Sequence, residues 1–326
     1  MQNNQEHNNN LKHNDTDREK TAKNIFKVGT CSVGQRVDNF LLKTLKQTSK
    51  SNIYKLLRKG QIRVNGKRTK PLYKVQLNDW VRIPPFLIPE EGEEVFISDN
   101  LLNLIRTSII FENNNFMVIN KPSGIAVHSG TGVRVGLIEI CKRLFPEIDI
   151  QLAHRLDRDT SGCVVLSKNR QALNDFNSQS KADTLVKKYT TLVQGIVTQD
   201  QIVELKLDTN TRVNGERTVQ VSETGKYAKT KLMVSETYRE NIPATLLQCQ
   251  LFTGRTHQIR VHCSAIGHPI AGDLRYGNAK FNQKIKKAGL KRLFLHAANI
   301  QFKDNNEDII VSADLPEKLH LLISKL

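Results

Sequence analysis

Apolar positions change their spacing several times along the chain, and each change marks an element. In GQRVDNFLLKTLK, Val37, Phe40, Leu41 and Leu45 recur at i, i+3, i+4 and i+8, the spacing of one helix face. In SKSNIYKLLRKG, Ile53, Leu56 and Leu57 form a second helical stripe, with Ser49 or Ser51 as cap and Gly60 as stop. Ile62 and Val64 then alternate with polar residues before Asn65-Gly66, the strongest short hairpin signal. Alternation resumes at Tyr73, Val75 and Leu77, and Trp80-Val81-Arg82-Ile83 closes the unit ahead of Pro84-Pro85.

Further on, IIFENNNFMVINKP predicts a hairpin turning at Asn113–Asn115. Helices are expected over Gly132–Leu144 and Arg170–Lys181, and from just after Thr253-Gly254 through RTHQIRVHCSAIG. Strands are expected in KKYTTLVQG and around 201–207, 228–238 and 244–252. Antiparallel strand patterns dominate over regular βαβ repeats, so the expected class is α+β with a mixed, largely antiparallel sheet. Residues 1–24 are Asn-rich and read as a disordered tail. Residues 25–85 form a first domain. Residues 86–104, with four glutamates, Pro and Gly, read as an acidic linker, and 105–326 form the second domain.

Charge sharpens this division. The net charge is +17, but residues 1–24 are neutral, and residues 25–85 hold fourteen Lys/Arg against two acids, a net of +12. Residues 86–326 carry only +5. A basic block of this size reads about equally as a polyanion site and as a solubilising face. No apolar run approaches the roughly 18 residues of a membrane-spanning helix, and the first twenty residues lack the apolar stretch of a secretion signal. Five scattered cysteines without a C-x-x-C pair disfavour both disulfides and a zinc ribbon, so a reducing cytoplasm is expected. With no heptad or apolar dimer strip, the expectation is a monomer.

The densest chemistry lies in His154-Arg155-Leu156-Asp157-Arg158-Asp159-Thr160-Ser161-Gly162, directly before the apolar strand Cys163–Leu166. Two carboxylates, two guanidiniums and two hydroxyls against a buried strand suit a functional site. They also suit a tight loop whose Asp, Thr and Ser satisfy backbone groups.

Two resemblances bear on these alternatives. The G-Q-R-V-D-x-F-L start, the Y-K-L-L-R-K-G-Q-I-R-V-N-G-K-R core and D-W-V-R-I resemble the S4 RNA-binding domain. That would set Arg36, Lys55, Arg58, Lys59, Lys67 and Arg68 beside RNA phosphates, with about half of the basic residues only solubilising. H-R-L-D-R-D-T-S-G resembles the signature of the RluA-type pseudouridine synthases. Asn120–His128, Lys187–Tyr189, Gly254–His262, His268–Asp273 and Leu293–Ala297 resemble the family's other blocks in the same order.

The resemblance implies isomerisation of uridine to pseudouridine in large-subunit ribosomal RNA, at several positions including some near the peptidyl-transferase centre, without a cofactor. It makes Asp157 the catalytic carboxylate, either attacking the anomeric carbon or removing a ribose proton. An arginine within about 4–6 Å would lower that carboxyl's pKa by about 1–3. By motif position Arg260 is the choice, with Arg255, at the helix start, as the alternative or as a phosphate contact. Tyr189 stacks on the target base and its hydroxyl helps to remove the C5 proton, Ile259 forms an apolar floor, and Arg155 fills the space left by the extruded base. His154, His257 and His262 lack any usual metal-ligand spacing, so no metal is expected, and His154 is read as support for the loop. Two other classes remain distinguishable. A non-catalytic RNA-binding factor would not need Asp157, Tyr189 and Arg260 together, and a glycosidase would need a second carboxylate in the site.

Overall fold

The helical stripes become the buried faces of two short helices. In the computed structural model, residues 24–45, 48–87, 96–130, 133, 135–209, 212–213 and 216–326 are described. They fall into two units, Met1–Phe96 and Ile97–Leu326. The first unit runs β1 (Ile25–Lys27), α1 (Val37–Thr44), α2 (Lys50–Arg58), β2 (Arg63–Val64), β3 (Lys67–Arg68) and β4 (Trp80–Arg82), with sheet order β1-β4-β2-β3. Val37, Leu41, Ile53, Leu57, Ile62 and Val81 pack its core. Ser49 caps α2 by accepting from Asn52 N at 3.3 Å. The β2–β3 turn places Asn65 and Gly66 at φ +50° and +76°, as a type I′ hairpin requires.

One expectation fails in this unit. Tyr73–Leu77 forms only a bridge from Lys74 to Arg36, not a strand. The buried Asp79 carboxylate gathers Gln76 N, Asn65 Nδ2 and the Tyr73 hydroxyl, which turns the chain and leaves Leu77 exposed. The expected tail lies outside the described residues except for Asn24, which is buried and bonds Ile83 through both backbone and side chain.

Residues 88–95 of the expected linker also lie outside the described residues. Its end is instead α3 (Asp99–Thr107), capped by Ser98, with Ile105 fully buried and Leu101 and Leu102 packed on the main core. The neighbouring glutamates mask that helical spacing. The second unit therefore includes this helix.

The second unit continues as β5 (Ile109–Glu112), β6 (Phe116–Lys121), α4 (Leu137–Leu144), β7 (Gln151–Leu152), β8 (Ser161–Ser167), α5 (Arg170–Lys181), β9 (Val186–Gln194), β10 (Gln201–Asp208), β11 (Arg212–Val213), β12 (Glu216–Arg217) and β13 (Gln220–Val221). It ends with β14 (Lys226–Tyr238), β15 (Ala244–Leu251), α6 (Gln258–Ala265), α7 (Ala279–Lys287), β16 (Leu295–Asp304), β17 (Glu307–Ser312) and α8 (Glu317–Ile323). An eleven-stranded sheet runs β13-β10-β14-β15-β9-β16-β8-β6-β5, with β7 on β8 and β17 on β16. Among the described residues its pairings are antiparallel except β8 with β16, so the fold is α+β around a mixed, antiparallel-rich sheet.

Helix α4 starts at Leu137, because Glu139 reaches back to Gly136 N at 2.9 Å, while the expected start at Gly132 lies outside the described residues. Helix α6 starts at Gln258, because His257 is left-handed at φ +53° and the Gln258 amide oxygen accepts from Arg255 N at 3.0 Å. Arg255 thus lies in the turn before the helix, not at its start.

Candidate active site

Asp157 occupies the loop from β7 to β8, and the sequence around it pins the loop from both sides. Leu156 inserts into the core. His154 Nε2 accepts from Val165 N at 3.1 Å while its ring stacks on Phe176, so it does support the loop. On the exit side, Gly162 packs so tightly on β16 that a Cβ there would lie 2.2 Å from Ala297 O, and its φ of +108° also requires glycine. His296 Nε2 donates to Ala313 O, leaving Nδ1 to accept from the Ser161 hydroxyl at 2.9 Å. From below, the fully buried Lys121 donates to three carbonyls, Pro122, Ile125 and Arg158, at 2.9–3.0 Å. Burial pushes this ammonium down to about 7. Three acceptors match the three hydrogens of the charged form and oppose that loss.

Arg260 rises from α6 toward this loop. Its Nη1 is 3.7 Å from Asp157 Oδ2, within the range expected for a charge partner. Its hydrogen bonds go elsewhere: Nε and Nη2 hold Asp273 at 2.7 and 2.9 Å, and the guanidinium lies 4.9 Å from the Tyr276 ring centroid. Burial alone would raise the Asp273 carboxyl, but the bonds and charge of Arg260 carry it below its ordinary value. Arg260 is thus a fixed cation oriented by one carboxylate and directed at another. His257 Nε2 is 3.8 Å from the same Asp157 oxygen, while its Nδ1 bonds the Tyr276 hydroxyl at 2.8 Å. Burial lowers His257, against the pull of Asp157, so the neutral ring leaves Arg260 as the positive partner.

Tyr189, on β9, is buried beside Asp157. Burial first, then the Asp157 charge, raises its hydroxyl well above the ordinary value, so it stays protonated at rest. Asp157, Tyr189, Ile259, Arg260, Arg155 and Arg255 all line one cavity of about 720 Å³, which continues past Arg255 to Tyr227 and Phe252. Arg155 is exposed at the mouth, and Ile259 is buried on the wall. Arg255 is anchored by Nε on Tyr227 O at 3.0 Å, which ties it to the rim rather than to Asp157.

Sequence reasoning missed Asp273, Tyr276, Lys121 and Gln258. Asp273 and Lys121 stand inside blocks that resemble the family's, and a charge next to an apolar strand was the available signal. Gln258, buried, bonds Thr253, Arg255 N, Lys229 O and Thr230, and it braces the turn before α6.

In the first unit, Arg58 and Arg68 line a second cavity of about 1020 Å³ with Lys50, Tyr54 and Lys70. Lys55, Lys59 and Lys67 are exposed outside it. Arg36 is spent internally, held by Asp38 and Tyr54. Among the described residues no group of three His, Cys, Asp or Glu is gathered as metal ligands would be. No helix among them is long and apolar enough to cross a membrane.

The RNA pseudouridylate synthase family model matches residues 115–265, and the S4 domain model matches residues 35–81. The chain is 44% identical over 299 residues to the ribosomal large subunit pseudouridine synthase C of Haemophilus influenzae, covering 90% of this chain and 92% of that protein. It is 43% identical over 310 residues to the Escherichia coli (strain K12) protein of the same name, with 93% and 96% covered. Human RNA Pseudouridylate Synthase Domain Containing 1 matches in structure with a TM-score of 0.55 and 27% identity, over 64% of this chain and 83% of that one. The human Domain Containing 4 protein, at 23% identity, shares the fold with a TM-score of 0.57, over 69% and 95%.

Proposed function

The chain belongs to the RNA pseudouridylate synthase family, and from that membership we propose how it works and on which RNA. It isomerises uridine to pseudouridine: the N1–C1′ bond breaks, C5 bonds to C1′, the C5 proton leaves and N1 takes a proton. No redox change is involved.

Asp157 carries out the sugar chemistry, with Arg260 as the cation beside its carboxylate. Tyr189 stacks on the base over Ile259. Because its hydroxyl is protonated at rest, it must give up that proton, in net to N1, as it accepts the one from C5. Arg155 fills the space left by the extruded uridine, whose removal from the stack costs a few kcal/mol. The substrate is large-subunit ribosomal RNA at several uridines, some near the peptidyl-transferase centre. The names of the relatives and the S4 domain support large-subunit ribosomal RNA as the substrate. Exposed Lys55, Arg58, Lys59, Lys67 and Arg68 hold phosphates, while Arg36 shapes the domain. The enzyme works as a cytoplasmic monomer: its five cysteines are scattered, and the sequence carries no heptad or apolar dimer strip.

The observation that carries this reading is the approach of Arg260 to Asp157 in the same cavity as Tyr189. Asp157→Asn should reduce tritium release from C5-labelled uridine in ribosomal RNA to background, with RNA affinity within about twofold of wild type. Undiminished release would overturn the assignment. Chemical mapping of pseudouridine in ribosomal RNA from a deletion strain identifies the uridines.

A further inference from the structure

The cavity does not end at the uridine. Past Arg255 its wall is Tyr227, on β14, and Phe252, just beyond β15. Both rings are large and exposed, at 48% and 38%, and neither is used by the chemistry described above. They are held in place all the same. Phe252 N donates to Lys229 O at 3.1 Å, and Lys229 Nζ lies 5.5 Å from the Phe252 ring centroid. Glu204 on β10 pairs with Lys229 at 2.8 Å and accepts from the Tyr227 hydroxyl. Arg255 is fixed to Tyr227 O and brings a cation to the same rim.

Two exposed aromatic rings with cations beside them form a stacking platform of the kind that takes unpaired bases. Their occupant follows from continuity. An RNA strand whose uridine reaches Asp157 enters the cavity of which this rim is part, and extruding the uridine strips its neighbour of one stacking partner. We propose that Tyr227 and Phe252 form a second nucleobase subsite, which receives the unpaired nucleotide adjoining the target uridine, with its phosphate against Arg255.

Every base has a π-face, so the platform selects an unstacked neighbour before it selects a base. A purine, which covers more ring, is held more tightly than a pyrimidine. The subsite thus makes strand opening beside the uridine a criterion of site choice. This inference rests on the reading of the chain as a uridine isomerase acting within RNA.

The test uses the full-length enzyme and a ribosomal RNA hairpin with 2-aminopurine beside the uridine that the enzyme converts. Wild type and Phe252→Tyr should quench the 2-aminopurine fluorescence on binding. Phe252→Ala, Tyr227→Ala and Phe252→Leu should quench it far less, because leucine restores apolar volume without a π-face. In tritium release, Phe252→Ala should raise KM about tenfold, with the loss falling on KM rather than kcat. Wild-type KM and quenching in Phe252→Ala and Tyr227→Ala would overturn the platform while leaving the isomerase reading intact. Absence of tritium release by wild type would overturn the isomerase reading, and the subsite with it, a result distinct from any change in quenching between the variants.

Discussion

Tyr189 combines a ring and a hydroxyl whose contributions a single atom separates. Tyr189→Phe keeps the stacking surface, so RNA affinity should stay within about twofold. Tritium release should fall by roughly 10²–10⁴, the usual worth of a positioned proton-transfer group. Equal loss of affinity and rate would assign both effects to the ring. Lys121 acts through the loop it holds. Lys121→Met leaves the Pro122, Ile125 and Arg158 carbonyls without their donor. The expected outcome is a loss of about 2–4 kcal/mol in denaturant unfolding and a lower kcat, with RNA affinity retained. A wild-type midpoint would show that the cage is dispensable. At this scale the sequence was most legible in placement, since the motif blocks that hold Asp157, Tyr189 and Arg260 meet in one cavity. It was least legible at Asp273, whose role exists only because Arg260 lies 13 residues away in sequence and 2.7 Å away in space.

Helix α6 shows how an element departs from its sequence pattern. From Gln258 to Cys263 every residue is buried, so polar and apolar positions alike are withdrawn from bulk solvent. Periodicity finds such a helix but misplaces its start, since the left-handed residue at His257 and the Gln258 brace are local hydrogen-bond events. Full burial also imposes a pH dependence. Burial pushes the His262 imidazole down to about 4, whereas the unfolded chain titrates it near the ordinary 6.5. Below pH 6.5 the unfolded state therefore binds the extra proton. The contribution is complete above pH 6.5 and is lost progressively as pH falls toward 4, by at most about 3 kcal/mol. Thermal unfolding from pH 7 to pH 4 should show this decline. His262→Leu should make it shallower, and an unchanged slope would remove His262 as its source.

Across the whole molecule, the charge is divided between the two units. A protein lacking residues 1–96 keeps Asp157, Tyr189 and Arg260 but loses the +12 block. It should bind ribosomal RNA more weakly and with a flatter salt dependence, the logarithmic slope falling by roughly 0.9 for each duplex phosphate that is no longer neutralised. An unchanged slope would place the phosphate-binding cations in the second unit. By itself, the amino-acid sequence determined the periodic elements, the basic block, the antiparallel α+β character and the polar loop proposed as catalytic. These are written in local spacing and in contiguous blocks of side chains. Tertiary structure alone decided that Arg260 bonds Asp273 while approaching Asp157, that Arg36 is spent on Asp38, that α3 belongs to the second unit, and that Tyr227 and Phe252 extend the cavity. Each of these depends on residues distant in the chain meeting across a sheet or a core, and on which polar group wins a buried partner. Local pattern carries no record of either.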